Sequence, residues 1–175
     1  MLRIFVLKIS TMATKKINSA TDLMSSYMDF VLTHQKNPES VYVFTQTLKI
    51  KEADFYQHFA SFEAVENAIF KAFFDNAITL LKQSDDFTHF DAKNQLLSFY
   101  FTFFEVLTQN RSYVLWALDV PKHKLNSFKK LVSLKQSFSL FVNDLDIKKH
   151  ELFSDKLKSF QDKSLEELTW IQLLV

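Results

Sequence analysis

The chain of 175 residues contains no glycine and only two prolines. Glycine supplies the positive backbone φ angles of tight turns and the close backbone approach that bound phosphates require. Glycine-cradled phosphate loops, dinucleotide fingerprints and Gly-x-Ser-x-Gly nucleophile elbows are therefore excluded. Because the chain also carries 20 phenylalanines, it has ample apolar material for a core between long, uninterrupted helices. We predict an all-α fold.

The composition also excludes several kinds of chemistry. Without cysteine the chain has no disulfides, thiolate nucleophiles or cysteine-bearing metal sites, which is compatible with a reducing cytoplasm. The five histidines never occur at the three- or four-residue spacing of zinc ligands. No nucleophile, base and orienting group occur at a recognisable spacing. We expect a cytoplasmic protein that is not an enzyme and holds no metal or cofactor.

The N-terminal third of the sequence predicts a long helix followed by a short one. Apolar residues at three- and four-residue spacing indicate an amphipathic helix that begins near Thr21 and stops at Asn37-Pro38. Ser40 is placed to cap a shorter helix over Val41–Leu48. Residues 49–52 then suffice to turn the chain into a third helix.

The third helix has two different sides. A period of 3.6 residues places apolar residues on one side, namely Ile50, Phe55 and Phe59. The other side carries polar residues, namely Glu52, Asp54 and Gln57. One side is therefore buried and the other presented. Ser61 can cap a long fourth helix, which ends near Gln83 and connects this region to the rest of the chain.

This order of helices, with the FYQHF motif at residues 55–59, resembles the N-terminal domain of the TetR/AcrR family of transcriptional regulators. The family pattern can be laid without a gap over residues 23–65. The resemblance implies a helix-turn-helix DNA-binding domain over residues 17–62, preceded by a flexible extension (1–16). It further implies a helical ligand-binding and dimerisation domain over residues 63–175. The expected partners are double-stranded DNA, a small hydrophobic ligand and, in the full-length form, a second copy of the chain.

Candidate DNA contacts lie before the first helix and around the second and third. They are Lys15, Lys16, Ser40, Lys51, Glu52, Asp54, Tyr56, Gln57 and His58. The two N-terminal lysines form a basic arm that can contact the DNA backbone. In the resembling family the residues at Tyr56 and His58 commonly touch phosphate. The alternative is that these two side chains only close the packing between the third and fourth helices.

The sequence departs from the family pattern in two ways. Gln35, Lys49 and Ala53 stand where the family usually carries glycines. Between residues 21 and 66, three lysines face seven carboxylates, a net charge of −4. Because DNA affinity depends on neutralised phosphates, an acidic reading surface opposes binding. A carboxylate can nevertheless accept a hydrogen bond from cytosine N4.

The rest of the chain predicts a helical bundle. Residues 96–107, LLSFYFTFFEVL, are apolar on nearly every side, which indicates a central helix wrapped by others. At 12 residues this run is too short to span a bilayer, which takes about 20. Further helices are predicted to start at Asn110 and to cover Asn126–Leu145. Candidate walls of an apolar ligand cavity are Phe99, Tyr100, Phe103, Phe104, Tyr113, Trp116 and Phe138, with Glu105 or Arg111 as a polar anchor. The alternative is a plain aromatic core.

The chain ends at Val175 within an apolar helical pattern, so we expect a shortened version of a longer protein, incomplete at its C-terminus.

Two functions compete. The first is a ligand-responsive regulator that binds DNA through its helix-turn-helix. The second is a carrier of lipid or another hydrophobic ligand that uses the same scaffold without binding DNA. The acidic N-terminal region and the phenylalanine-rich body favour the second function, whereas the resemblance favours the first.

Overall fold

A computed structural model describes residues 19–118 and 129–145. These residues form seven α-helices and one 3₁₀ turn, with no β-strand among them. In chain order they are α1 (Ala20–His34), α2 (Val41–Leu48), α3 (Glu52–Tyr56), α4 (Phe62–Lys82), the 3₁₀ turn (Phe87–His89), α5 (Ala92–Gln109), α6 (Arg111–Ala117) and α7 (Val132–Asp144). The prediction of an all-α fold is confirmed. Lys15, Lys16, the first three residues of the helix predicted over Asn126–Leu145 and residues 146–175 lie outside the described residues.

Side-chain caps set where four of the helices begin. The Ser40 hydroxyl accepts a hydrogen bond from the Val43 amide at 3.2 Å, and Ser61 accepts one from Ala64 at 3.2 Å, as predicted. Two more caps, which the sequence analysis did not identify, are Ser19 before α1 and Asp91 before α5. Each cap satisfies one of the amides that a helix leaves unpaired at its N-terminus.

Two helices end at residues in the left-handed conformation although neither residue is glycine. Gln35 has φ 53° after α1, and Lys49 has φ 58° after α2. At the second position the Ile50 amide donates to the Thr45 carbonyl at 3.1 Å, which closes the helix end. These are two of the three positions where the resembling family carries glycine. The third, Ala53, lies inside α3 in ordinary helical conformation.

An aromatic cluster joins the first four helices. Phe62 begins α4, and its ring centroid lies 5.5 Å from those of Tyr27, Phe44 and Phe55. These three rings come from α1, α2 and α3 respectively, and all three are fully buried. Ring pairs at this separation add to the stability that burial alone provides. The cluster therefore fixes α2 and α3 relative to α1 and α4.

The long helix α4 continues into the body and packs against α5 and α7. Val65, Ile69 and Phe73 on one face of α4 are all buried. Further along α4, the ring of Phe74 lies 5.3 Å from that of Phe99 on α5, and Phe99 lies 5.5 Å from Phe138 on α7. One apolar core thus continues from the N-terminal helices into the body.

Two predictions about the body were wrong. The described residues do not wrap helix α5 on all sides, since Leu97, Phe101 and Phe104 are 48%, 70% and 44% exposed. The helix predicted over Asn126–Leu145 is not continuous, because α7 begins only at Val132 after a turn at residues 130–131. Leu131 in that turn is buried, and its burial places the turn against the core.

Candidate nucleic-acid interface

Helix α3 buries one side and presents the other, as predicted. Phe55 and Phe59 are buried, whereas Lys51, Glu52 and Gln57 are exposed and Asp54 is half-buried. Tyr56 is 53% exposed, and His58 is also exposed. Side chains that only closed the packing between α3 and α4 would be buried. The exposure of Tyr56 and His58 therefore leaves them accessible to a ligand.

Two of the candidate DNA contacts also have structural roles. The Asp54 carboxylate accepts a hydrogen bond from the Lys51 amide at 2.9 Å, across the start of α3. There its negative charge lies at the positive end of the helix dipole. Ser40 similarly caps α2 with its hydroxyl. Glu52 is the carboxylate of α3 that lies exposed on the presented side.

The net charge of −4 overstates the negative charge that this region presents. Glu66 is buried, and its carboxylate lies 3.0 Å from the Lys130 ammonium, a lysine outside the counted segment. Glu39 lies 3.2 Å from Lys36, but both residues are already in the count, so this pair leaves the net charge unchanged. Glu52 is the exposed carboxylate of α3, and Asp29 on α1 and Glu63 at the start of α4 are exposed as well.

Helix α2 presents two large side chains that the sequence analysis did not single out. Tyr42 is 58% exposed and Val43 is 38% exposed, whereas Phe44 is buried. Tyrosine hydroxyls are among the groups that contact DNA phosphates. The sequence does indicate that Tyr42 is exposed, because Val41, Phe44 and Leu48 form the apolar stripe of α2 and Tyr42 lies outside that stripe.

The aromatic residues proposed as cavity walls pack mainly against one another. Four of them are buried, namely Phe99, Phe103, Tyr113 and Phe138. Tyr100 and Trp116 are half-buried, and Phe104 and Glu105 are exposed on α5. Phe99 stacks on Phe103 with centroids 5.4 Å apart, and Tyr113 lies 6.0 Å from Trp116. This ring-to-ring packing is that of a core.

A small cleft lies elsewhere, between α1, α4 and the end of α5. Its volume is about 10 Å³, and it is lined by Thr21, Met24, Ile69, Ala72, Phe73, Asn76 and Asn110. Such a space holds about one water molecule.

The described part of the chain shows no cluster of metal-binding side chains. None of its helices has the length and apolarity needed to cross a membrane.

A buried polar junction lies where the N-terminal helices meet the body. The Tyr27 hydroxyl donates to the Glu66 carboxylate at 2.8 Å, and the Lys130 ammonium contacts the same oxygen at 3.0 Å. Lys130 also lies 5.2 Å from the ring centroid of Trp116. Burial, with the neighbouring Glu66 carboxylate, raises the pKa of Tyr27 and of Tyr113, so both hydroxyls stay protonated at neutral pH.

The sequence analysis counted Glu66 only as a surface charge. Its position carried a signal, because Glu66 shares one helical face with Ile69, Phe70 and Phe73. A carboxylate within an apolar stripe indicates a paired buried charge. Its partner Lys130 lies too far along the chain for any local pattern to find.

One comparison with known proteins indicates which family this chain resembles. A family model described as "Tetracyclin repressor-like, C-terminal domain" matches residues 95–175, somewhat less than half of the chain. The match begins in α5 and includes α6 and α7. No curated protein and no solved structure gives a significant match. The C-terminal part of the chain is thus similar to that of TetR-like repressors, which supports membership of the TetR family.

Proposed function

We propose that this protein is a TetR-like transcriptional regulator that binds double-stranded DNA through α2 and α3. The observation that carries the proposal is the two-sided α3. Its buried Phe55 belongs to the aromatic cluster, while Lys51, Tyr56, Gln57 and His58 are exposed together on and beside a short helix. Amide, phenol, imidazole and ammonium groups are the donors that contact phosphates and base edges.

The proposed division of the chain follows from this role. Residues 17–62 form the DNA-binding domain, and residues 63–175 form the body that dimerises. In a dimer, two copies of α3 enter successive major grooves about 34 Å apart. The basic arm with Lys15 and Lys16 adds contacts to the DNA backbone. Because Glu52 faces the same surface, we expect modest affinity that depends strongly on salt.

We further propose that a small apolar effector acts on the body. The rings of Phe99, Tyr100 and Phe138 lie within 6.2 Å of one another, and Phe103 stacks on Phe99, so they fill the space that an effector would occupy. The effector must therefore displace rings as it enters. A carrier that uses the same scaffold without DNA remains the second candidate function, favoured by the exposed carboxylate of Glu52 on α3.

A DNA titration at several salt concentrations tests the proposal. The probe is a duplex from the region upstream of the protein's own gene, and fluorescence anisotropy reports binding. Lys51→Ala should weaken binding and reduce the slope of log affinity against log salt by about 1, because one phosphate contact is lost. Lys82→Ala is the matched control, since Lys82 is exposed in the last turn of α4.

Two further results decide between the candidate functions. Glu52→Gln removes the exposed carboxylate and should raise affinity, most strongly at low salt. If Lys51→Ala and Lys82→Ala bound DNA with equal affinity, the proposed regulator function with its DNA contact at Lys51 would be contradicted. Absence of DNA binding at low salt, together with lipid extracted from the purified protein, would support the carrier.

A further inference from the structure

Glu66 is a buried carboxylate at the place where three parts of the fold meet. Its side chain is 8% exposed. The same oxygen, Oε1, lies 2.8 Å from the Tyr27 hydroxyl on α1 and 3.0 Å from the ammonium of Lys130, just before α7. One atom of α4 therefore contacts both the N-terminal helices and the start of the last described helix.

The start of α7 is held by two further contacts. The Ser133 amide, in the first turn of α7, donates to the side-chain oxygen of Asn67 at 3.3 Å. The Lys130 ammonium lies over the ring of Trp116 on α6, 5.2 Å from its centroid. Neighbouring residues of α4, Glu66 and Asn67, thus fix where α7 begins.

Tyr27 extends the junction toward the proposed reading surface. Its ring belongs to the aromatic cluster and lies 6.1 Å from that of Phe44 on α2. The ring is fully buried, so the hydroxyl can keep its bond to Glu66 only while α1 stays in place on α4. The Asn37 side-chain oxygen is a second, longer acceptor for this hydroxyl at 3.1 Å. Tyr27 on α1 and Lys130 are therefore linked through the same carboxylate.

A buried carboxylate that loses its cation is strongly destabilising, because the charge keeps its desolvation cost without compensation. If the start of α7 moves away, the Glu66 carboxylate must reach water or remain buried without a cation, with only the Tyr27 hydroxyl donating to it. We propose that the Glu66–Lys130 pair is a conformational lock, through which displacement of the start of α7 loosens α1 from α4. Its consequence for DNA binding rests on the proposed function, whereas the lock itself does not.

Hydrogen exchange of the intact protein without DNA tests the lock. In Lys130→Met, backbone amides of α1 should exchange about tenfold faster than in the unmodified protein, while those of α5 change less. Lys129→Met is the matched control, since Lys129 is exposed beside Lys130. If Lys130→Met does not fold, Lys130→Gln gives the same comparison with a smaller change in shape.

The second half of the test is rescue. Glu66→Gln combined with Lys130→Met removes the stranded charge and should restore much of the protection in α1, as should Lys130→Arg. Equal exchange in Lys130→Met and Lys129→Met would overturn the proposal. A uniform increase in the exchange rates of α1 and α5, without rescue by the double variant, would also overturn the proposal, because that result indicates only global destabilisation.

Discussion

At the scale of single residues, Gln35 and Lys49 adopt backbone conformations that a Cβ atom disfavours. Their φ angles of 53° and 58° lie in the left-handed region. For a residue other than glycine this conformation costs about 1–2 kcal/mol. The chain thus keeps the helix ends that glycine usually forms, at some loss of stability.

Replacing Gln35 with glycine should therefore stabilise the protein. We expect Gln35→Gly to raise the free energy of unfolding by about 1 kcal/mol, measured by urea denaturation. Gln46→Gly is the control, because Gln46 is exposed within α2 and glycine there should cost about 0.5–1 kcal/mol. Destabilisation by both substitutions to a similar extent would contradict the left-handed conformation at Gln35.

Tyr113 offers a second prediction at this scale. Its hydroxyl is buried and has no hydrogen-bond partner among the described residues. A buried polar group without a partner costs about 1–3 kcal/mol, so Tyr113→Phe should stabilise the protein by about 1 kcal/mol. Tyr42→Phe, at an exposed position, should change the free energy of unfolding little. A loss of stability in Tyr113→Phe would show that the hydroxyl is bonded.

What the sequence could predict about residues depended on how local the interaction is. The caps at Ser40 and Ser61 were predictable, because a cap contacts amides only three residues away. The pair between Glu66 and Lys130 was not, because it joins distant parts of the chain. For the same reason, the charge count from the sequence treated a buried, paired carboxylate as part of the presented surface.

At the scale of elements, α5 shows the limit of hydrophobic periodicity. A run that is apolar on nearly every side predicts burial on every side, yet Phe101 is 70% exposed while Phe99 is fully buried. The apolar pattern correctly predicted that a helix forms there. It did not predict which face packs, because that depends on where α4 and α7 lie.

The two faces of α5 should respond differently to substitution. We expect Phe99→Ala to lower the free energy of unfolding by about 3–5 kcal/mol, because it leaves a cavity among packed rings. Phe101→Ser should change it by no more than about 0.5 kcal/mol. Thermal and urea denaturation measure both. Similar losses for the two variants would show that Phe101 is buried in solution.

At the scale of the whole molecule, α4 joins the proposed reading surface to the body. It carries Phe62 in the aromatic cluster, Glu66 at the polar junction and Phe74 against α5. The helix order and the all-α class were predictable from apolar spacing and caps. The closed packing of the body was not, because periodicity identifies aromatic faces without showing whether they enclose a space.

The most direct test of DNA recognition is selection of bound sequences from a random duplex library. We predict enrichment of a palindromic motif with half-sites about 10 base pairs apart, because a symmetric dimer places two α3 helices one helical turn apart. The double variant Lys51→Ala and Tyr56→Ala should lose this enrichment while keeping its helical circular dichroism spectrum. Absence of any motif with the unmodified protein, or an identical motif with the double variant, would contradict the account.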